Sequence, residues 1–101
     1  MYFVIRNLFN MMSSLPIDLA KVPKDRIDME ILRAGIIAEL DAVNLYEQFA
    51  AKATSKRIKE TLADIAKEEK THVGEFQALL LEIDKQQVTE LKHGKDEVAK
   101  L

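Results

Sequence analysis

Along residues 56–83 the apolar positions Ile58, Leu62, Ile65, Phe76, Leu79 and Ile83 keep to alternating steps of four and three, the rhythm of a helix that packs one face on a partner. Two polar residues, Glu69 and His72, occupy the same stripe. Residues 29–53 repeat the rhythm through Leu32, Ile36, Val43, Tyr46 and Ala50, with Glu39 at a position the pattern reserves for a hydrophobe. Both stretches lack proline and are rich in Leu, Ala, Glu and Ile, so the pattern predicts two long helices, from about Met29 to Ala53 and from about Lys56 to Ile83. Thr54 and Ser55 separate them, either hydroxyl being able to cap the second helix, and so short a link predicts antiparallel packing.

Asp84 is placed to cap a third, shorter helix from near Lys85, with Val88 and Leu91 on one side and Gly94 as its expected stop. The closing KDEVAKL reads either as another helical turn or as a frayed end. Residues 13–28, SSLPIDLAKVPKDRID, hold both prolines, each of which biases its predecessor away from helical geometry. The expected organisation is an extended N-terminal segment over 1–28 and one all-α domain over 29–101, an antiparallel two-helix hairpin with a short C-terminal helix. Gly35 and Gly74 lie inside the long helices, where each costs about 1 kcal/mol relative to alanine. A close approach between helices and a tolerated defect both remain open for them.

Composition narrows the chemistry. The chain has 101 residues, 48% of them hydrophobic, which suits one small domain. Its formal net charge is −2 with acids and bases interspersed, so it lacks the broad basic surface that nucleic acid requires. No cysteine is present, which rules out a disulfide framework, a thiolate zinc site and a cysteine nucleophile in this sequence and suits a reducing cytoplasm. The opening MYFVIRNLFNMM is interrupted by Arg6, Asn7 and Asn10, so neither a signal peptide nor a membrane span fits it, and Met11 and Met12 offer a second start.

An ionised carboxylate in a packed core costs several kcal/mol unless something compensates, a large share of a domain's stability of about 5–15 kcal/mol. The stripe offers Glu39 no arginine or lysine, which leaves protonation, water or a metal ion. A histidine one turn from an acid favours the metal. Residues three apart on a helix project from one face, so Glu69 and His72 can reach the same ion. Helical di-iron carboxylate sites take one glutamate from each of two helices and a Glu-x-x-His from each of the other two, and this chain holds half of that set. A twofold homodimer supplies the rest: it buries both stripes in a four-helix bundle and brings together two copies of Glu39, Glu69 and His72. Their four carboxylates then balance the charge of two ferrous ions, one iron per chain, with zinc or manganese as possible substitutes.

The segments IIAELDAVNLYEQFA and DIAKEEKTHVGEFQALL, with an acid, a tyrosine seven residues later and a Glu-x-x-His, resemble the encapsulated ferritin family, a two-helix branch of the ferritin-like and rubrerythrin-like proteins. The resemblance covers Met29 to Leu91. It implies a ferroxidase at a dimer interface, dimers gathered into a ring of five (a decamer), and the whole carried in the cytoplasm as cargo of an encapsulin shell. It assigns Glu39 as the first-helix ligand, Glu69 as a bridging or chelating carboxylate and His72 as the imidazole ligand. Tyr46 matches a tyrosine near the metal centre, where it serves as a hydrogen-bond partner, an electron-transfer group or a core residue. Asp41 matches an acid of the iron access route, whereas Ala38 stands where a second such acid is expected. Leu45 replaces a tryptophan found in some members, and the C-terminal shell-targeting peptide expected of the family is not visible before the chain stops at AKL.

Two other readings compete. A rubrerythrin-like peroxide reductase uses a similar site, although without cysteines this chain cannot hold a rubredoxin-type iron. A non-enzymatic helical oligomer would use its buried polar groups to fix register. Asp64, Glu68 and Glu75 read as a solvated flank of the second helix, and His93 as an exposed residue of the third.

Overall fold

Ile27 begins the first long helix, α1 (Ile27–Lys52), in a computed structural model that describes residues 18–101. Asp28 and Glu30 in its first turn and Lys52 in its last complement the helix dipole. The expected extended lead-in lies partly outside the described residues. Within them, short 3-10 turns at Leu19–Lys21 and Lys24–Arg26 bracket Pro23, so the backbone before α1 is coiled and not simply extended. Proline suits this position, because its fixed φ is compatible with the start of a helical turn.

The second helix, α2 (Lys56–Ile83), starts where the Ser55 hydroxyl accepts from the Ile58 N–H at 3.4 Å. Lys59 then reaches back to the end of α1 and donates to the carbonyls of Ala50 and Ala51 at 2.9 and 3.1 Å. These carbonyls have no partner within their own helix, so one ammonium both satisfies them and meets the negative end of the dipole. Lys70 of α2 pairs with Glu47 of α1 at 2.9 Å, a further tie across the antiparallel hairpin.

Asp84 ends α2 and caps α3 (Lys85–Ala99), accepting from the Gln87 N–H at 3.0 Å through Oδ1. Its Oδ2 accepts from Arg33 Nη2 of α1 at 2.8 Å, so one buried carboxylate joins all three helices. The Gln87 N–H first, and then Arg33, hold this carboxyl below the usual aspartate range. Gly94 does not stop α3. Its backbone stays helical, with no positive φ among the described residues, and the helix continues to Ala99.

The core is thin. Among the described apolar residues only Val43, Ala66 and Leu80 are buried. The line of α2 that meets α1 runs through Leu62, Ala66, Glu69, Val73, Phe76 and Leu80, rotated slightly from the predicted stripe. Ile58, Leu79 and Ile83, which the spacing placed in the core, are each about half exposed. A hairpin of two cylinders shields only one side of each helix, so the remaining edge of the stripe lies open, with Leu79 and Ile83 beside Ile31 of α1.

Candidate metal centre

Glu39 projects from α1, one turn before Val43 of the core, while Glu69 and His72 project from one face of α2. The antiparallel pairing brings them to the same level. His72 Nδ1 stands 3.3 Å from Glu69 Oε2 and 3.4 Å from Glu39 Oε2. One donor atom from each residue falls within 4.8 Å of the other two, a separation that a single divalent cation can span.

Burial differs among the three. The side chains of Glu39 and Glu69 are 21% and 18% exposed, whereas that of His72 is 46% exposed. The set therefore sits at the open edge of the hairpin with its imidazole outermost. Glu39 Oε2 is buried and receives no hydrogen bond, and no lysine or arginine among the described residues pairs with it. A buried carboxylate oxygen without a donor is costly, and the nearby imidazole at 3.4 Å contributes a loose ion-pair contact only when protonated. A cation held by Glu39, Glu69 and the neutral imidazole would satisfy that oxygen, so the residues present fit a divalent metal.

Beside the donors lies a hollow of about 320 Å³ lined by Glu39, His72, Glu75, Phe76 and Leu79. Glu75 lines this hollow while staying exposed, as expected for the solvated flank of the second helix. It stands three residues after His72, the same step that joins Glu69 to His72. Tyr46 and Asp41 do not line this hollow. Tyr46 lies two turns along α1 from Glu39 and meets Phe49 edge-on, with ring centroids 6.4 Å apart. Asp41, two residues after Glu39, points about 200° away around the helix. His93 is exposed on α3 and contacts only its neighbour Glu90, at 3.3 Å, among the interactions described.

Three comparisons bear on this arrangement. The family profile described as Rubrerythrin matches residues 30–100. The crystal structure of an encapsulated ferritin domain from Pyrococcus furiosus superposes with a TM-score of 0.77 at 49% sequence identity, covering 87% of this chain and 95% of that one. This chain belongs to the rubrerythrin family, in its encapsulated-ferritin branch. A ferritin-like-encapsulin shell fusion protein of Pyrococcus furiosus is 60% identical over 73 residues, which are 72% of this chain and 21% of that protein. The chain thus spans about a fifth of that relative's length. The all-α hairpin with its third helix is the ferritin-like architecture of the solved domain. No helix among the described residues is long and apolar enough to cross a membrane.

Proposed function

We propose that this chain is a ferroxidase whose di-iron site forms between two subunits. The observation that carries the reading is the convergence of Glu39, Glu69 and His72 around one point, with a buried oxygen of Glu39 left without a donor. In this reading Glu39 and Glu69 supply hard anionic oxygens that favour ferrous iron and the ferric product, and His72 supplies an imidazole at the exposed side. The donors of one chain are too few to surround two ions, and the open apolar edge beside them gives a twofold mate a surface to cover. Two copies would hold two irons, one per chain, and the homodimers would assemble into a decameric ring.

Ferrous iron is the substrate. Each ion gives one electron, and two electrons with two protons reduce dioxygen to peroxide or peroxide to water. The buried carboxylates stabilise the added positive charge of the product, since charge interactions strengthen away from water. A hairpin dimer encloses no storage cavity, so we place the ferric product in a surrounding encapsulin compartment in the cytoplasm, by likeness to the Pyrococcus furiosus shell fusion. Zinc and manganese would compete for the same donors.

The test is anaerobic loading with ferrous iron, with mass and bound iron measured together before oxygen is admitted. One iron per chain, metal-driven assembly and ferric absorbance on adding oxygen are expected. Glu39→Ala and His72→Ala chains that oxidise iron as fast as the parent would sink the proposal. The Rubrerythrin profile match favours one second reading, a peroxide reductase, and faster turnover with peroxide and a supplied reductant than with oxygen would establish it instead.

A further inference from the structure

Gly35 and Phe76 meet one helical turn from the three donors. Gly35 precedes Glu39 by four residues on α1, and Phe76 follows His72 by four on α2, so the antiparallel pairing puts them at one level, about 6 Å along the axis from the site. A Cβ added at Gly35 would stand 3.2 Å from Cδ2, Cε2 and Cζ of the Phe76 ring. Carbon atoms pack best at about 3.5–4.0 Å, so the added atom requires a shift of roughly 0.3 Å or more. Either α1 moves away from α2, or the ring moves into the hollow that Phe76 shares with Glu39 and His72. Nothing comparable occurs at Gly74 or Gly94, where an added Cβ meets no atom within 4 Å. The close approach belongs to the level of the site alone among the described glycines.

We propose that the Gly35–Phe76 contact is the spacer that sets the distance between Glu39 on α1 and the Glu69–His72 pair on α2, and so tunes the affinity of the site for divalent cations. This inference rests on the ligand reading given above. Metal sites hold their ligand distances to about 0.2 Å, and a close-packed helix pair transmits a displacement across one turn with little loss. Neither residue offers a donor atom to a cation. Both are positioning residues, and Phe76 additionally lines the hollow beside Glu39.

Cobalt(II) titration of the full chain, followed by visible absorbance, tests the spacer alongside melting of the metal-free protein. Gly35→Ala is expected to bind cobalt at least about tenfold more weakly, because the ligand span leaves its tolerance. Its metal-free melting temperature should not fall below the parent's, since alanine is the better helix former. Adding Phe76→Leu to Gly35→Ala should return affinity to within about threefold of the parent by removing the ring the new Cβ meets. His72→Ala serves as the control for the ligand reading. A parent that binds no cobalt, or a His72→Ala chain that binds as well as the parent, overturns the ligand reading and the spacer with it. If His72→Ala loses cobalt but Gly35→Ala keeps the parent's affinity, only the spacer falls. The same holds if the double variant stays as weak as the single one, or if lost affinity follows a drop in metal-free melting temperature.

Discussion

His72 of α2 reaches Glu39 of α1 across the hairpin, Nδ1 to Oε2 at 3.4 Å, although 33 positions separate them in the chain. The pair links the two helices at the level of the candidate site. It joins a half-buried acid, one of whose oxygens is buried without a hydrogen bond, to an imidazole that faces outward.

Glu39→Leu should stabilise the metal-free chain by about 1–3 kcal/mol while removing cation binding, because it replaces an unsatisfied buried carboxylate with a side chain the core accepts. Urea denaturation in the presence of a chelator measures the first effect and cobalt titration the second. Equal or lower stability of the variant would show that Glu39 has a compensating partner in the metal-free protein.

Cation binding should stabilise the parent by about 2.7 kcal/mol when the free ion stands at a hundred times its dissociation constant. His72→Ala removes one donor and should abolish most of that gain. Thermal melts with manganese or zinc, at fixed protein concentration, report the difference.

Asp84 makes stability depend on acid pH. Its folded carboxyl is held below the ordinary aspartate value of 3.8, so its contribution is present above that value and is lost as pH falls through the folded one. Asp84→Asn should lower the melting temperature at neutral pH and flatten the acid limb of the stability profile. An unchanged acid limb would mean that other carboxylates dominate it.

Lys59→Met keeps the stem of the side chain and removes the ammonium that meets the Ala50 and Ala51 carbonyls. A loss of about 0.5–1.5 kcal/mol is expected, with fraying confined to the end of α1. Amide exchange of residues 48–53 would locate it.

Ile83→Glu places a charge on the half-exposed edge that includes Ile58 and Leu79. The hairpin itself should still fold, since Val43, Ala66 and Leu80 carry its interior, while self-association should weaken by at least about tenfold. Sedimentation of parent and variant at matched concentration decides it.

Much of the fold was legible because its determinants are local. The helix breaks at Thr54–Ser55 and Asp84 follow from capping chemistry, and the structure finds Ser55 and Asp84 in those roles. Gly94 misled for an equally physical reason: glycine is a common helix terminator, but it terminates through positive φ, and nothing at this position imposes that conformation. Glu69 and His72 announced themselves as a pair through their three-residue step. Glu39 was visible only as an acid in an apolar stripe, and its distance from His72 was not readable from either helix alone.

What the sequence by itself determined is therefore the set of elements and the donors they present, since a helix period of 3.6 places residues on faces whatever the helix packs against. Only the tertiary structure decided how far each stripe is turned toward its neighbour, leaving Leu79 and Ile83 open while Ala66 and Leu80 close the interior. It also decided that Glu75 joins the hollow beside Glu39 and that Gly35, and not Gly74, marks the close approach. Rotation and separation of two helices depend on side chains from both at once, and no periodicity within one helix contains that information.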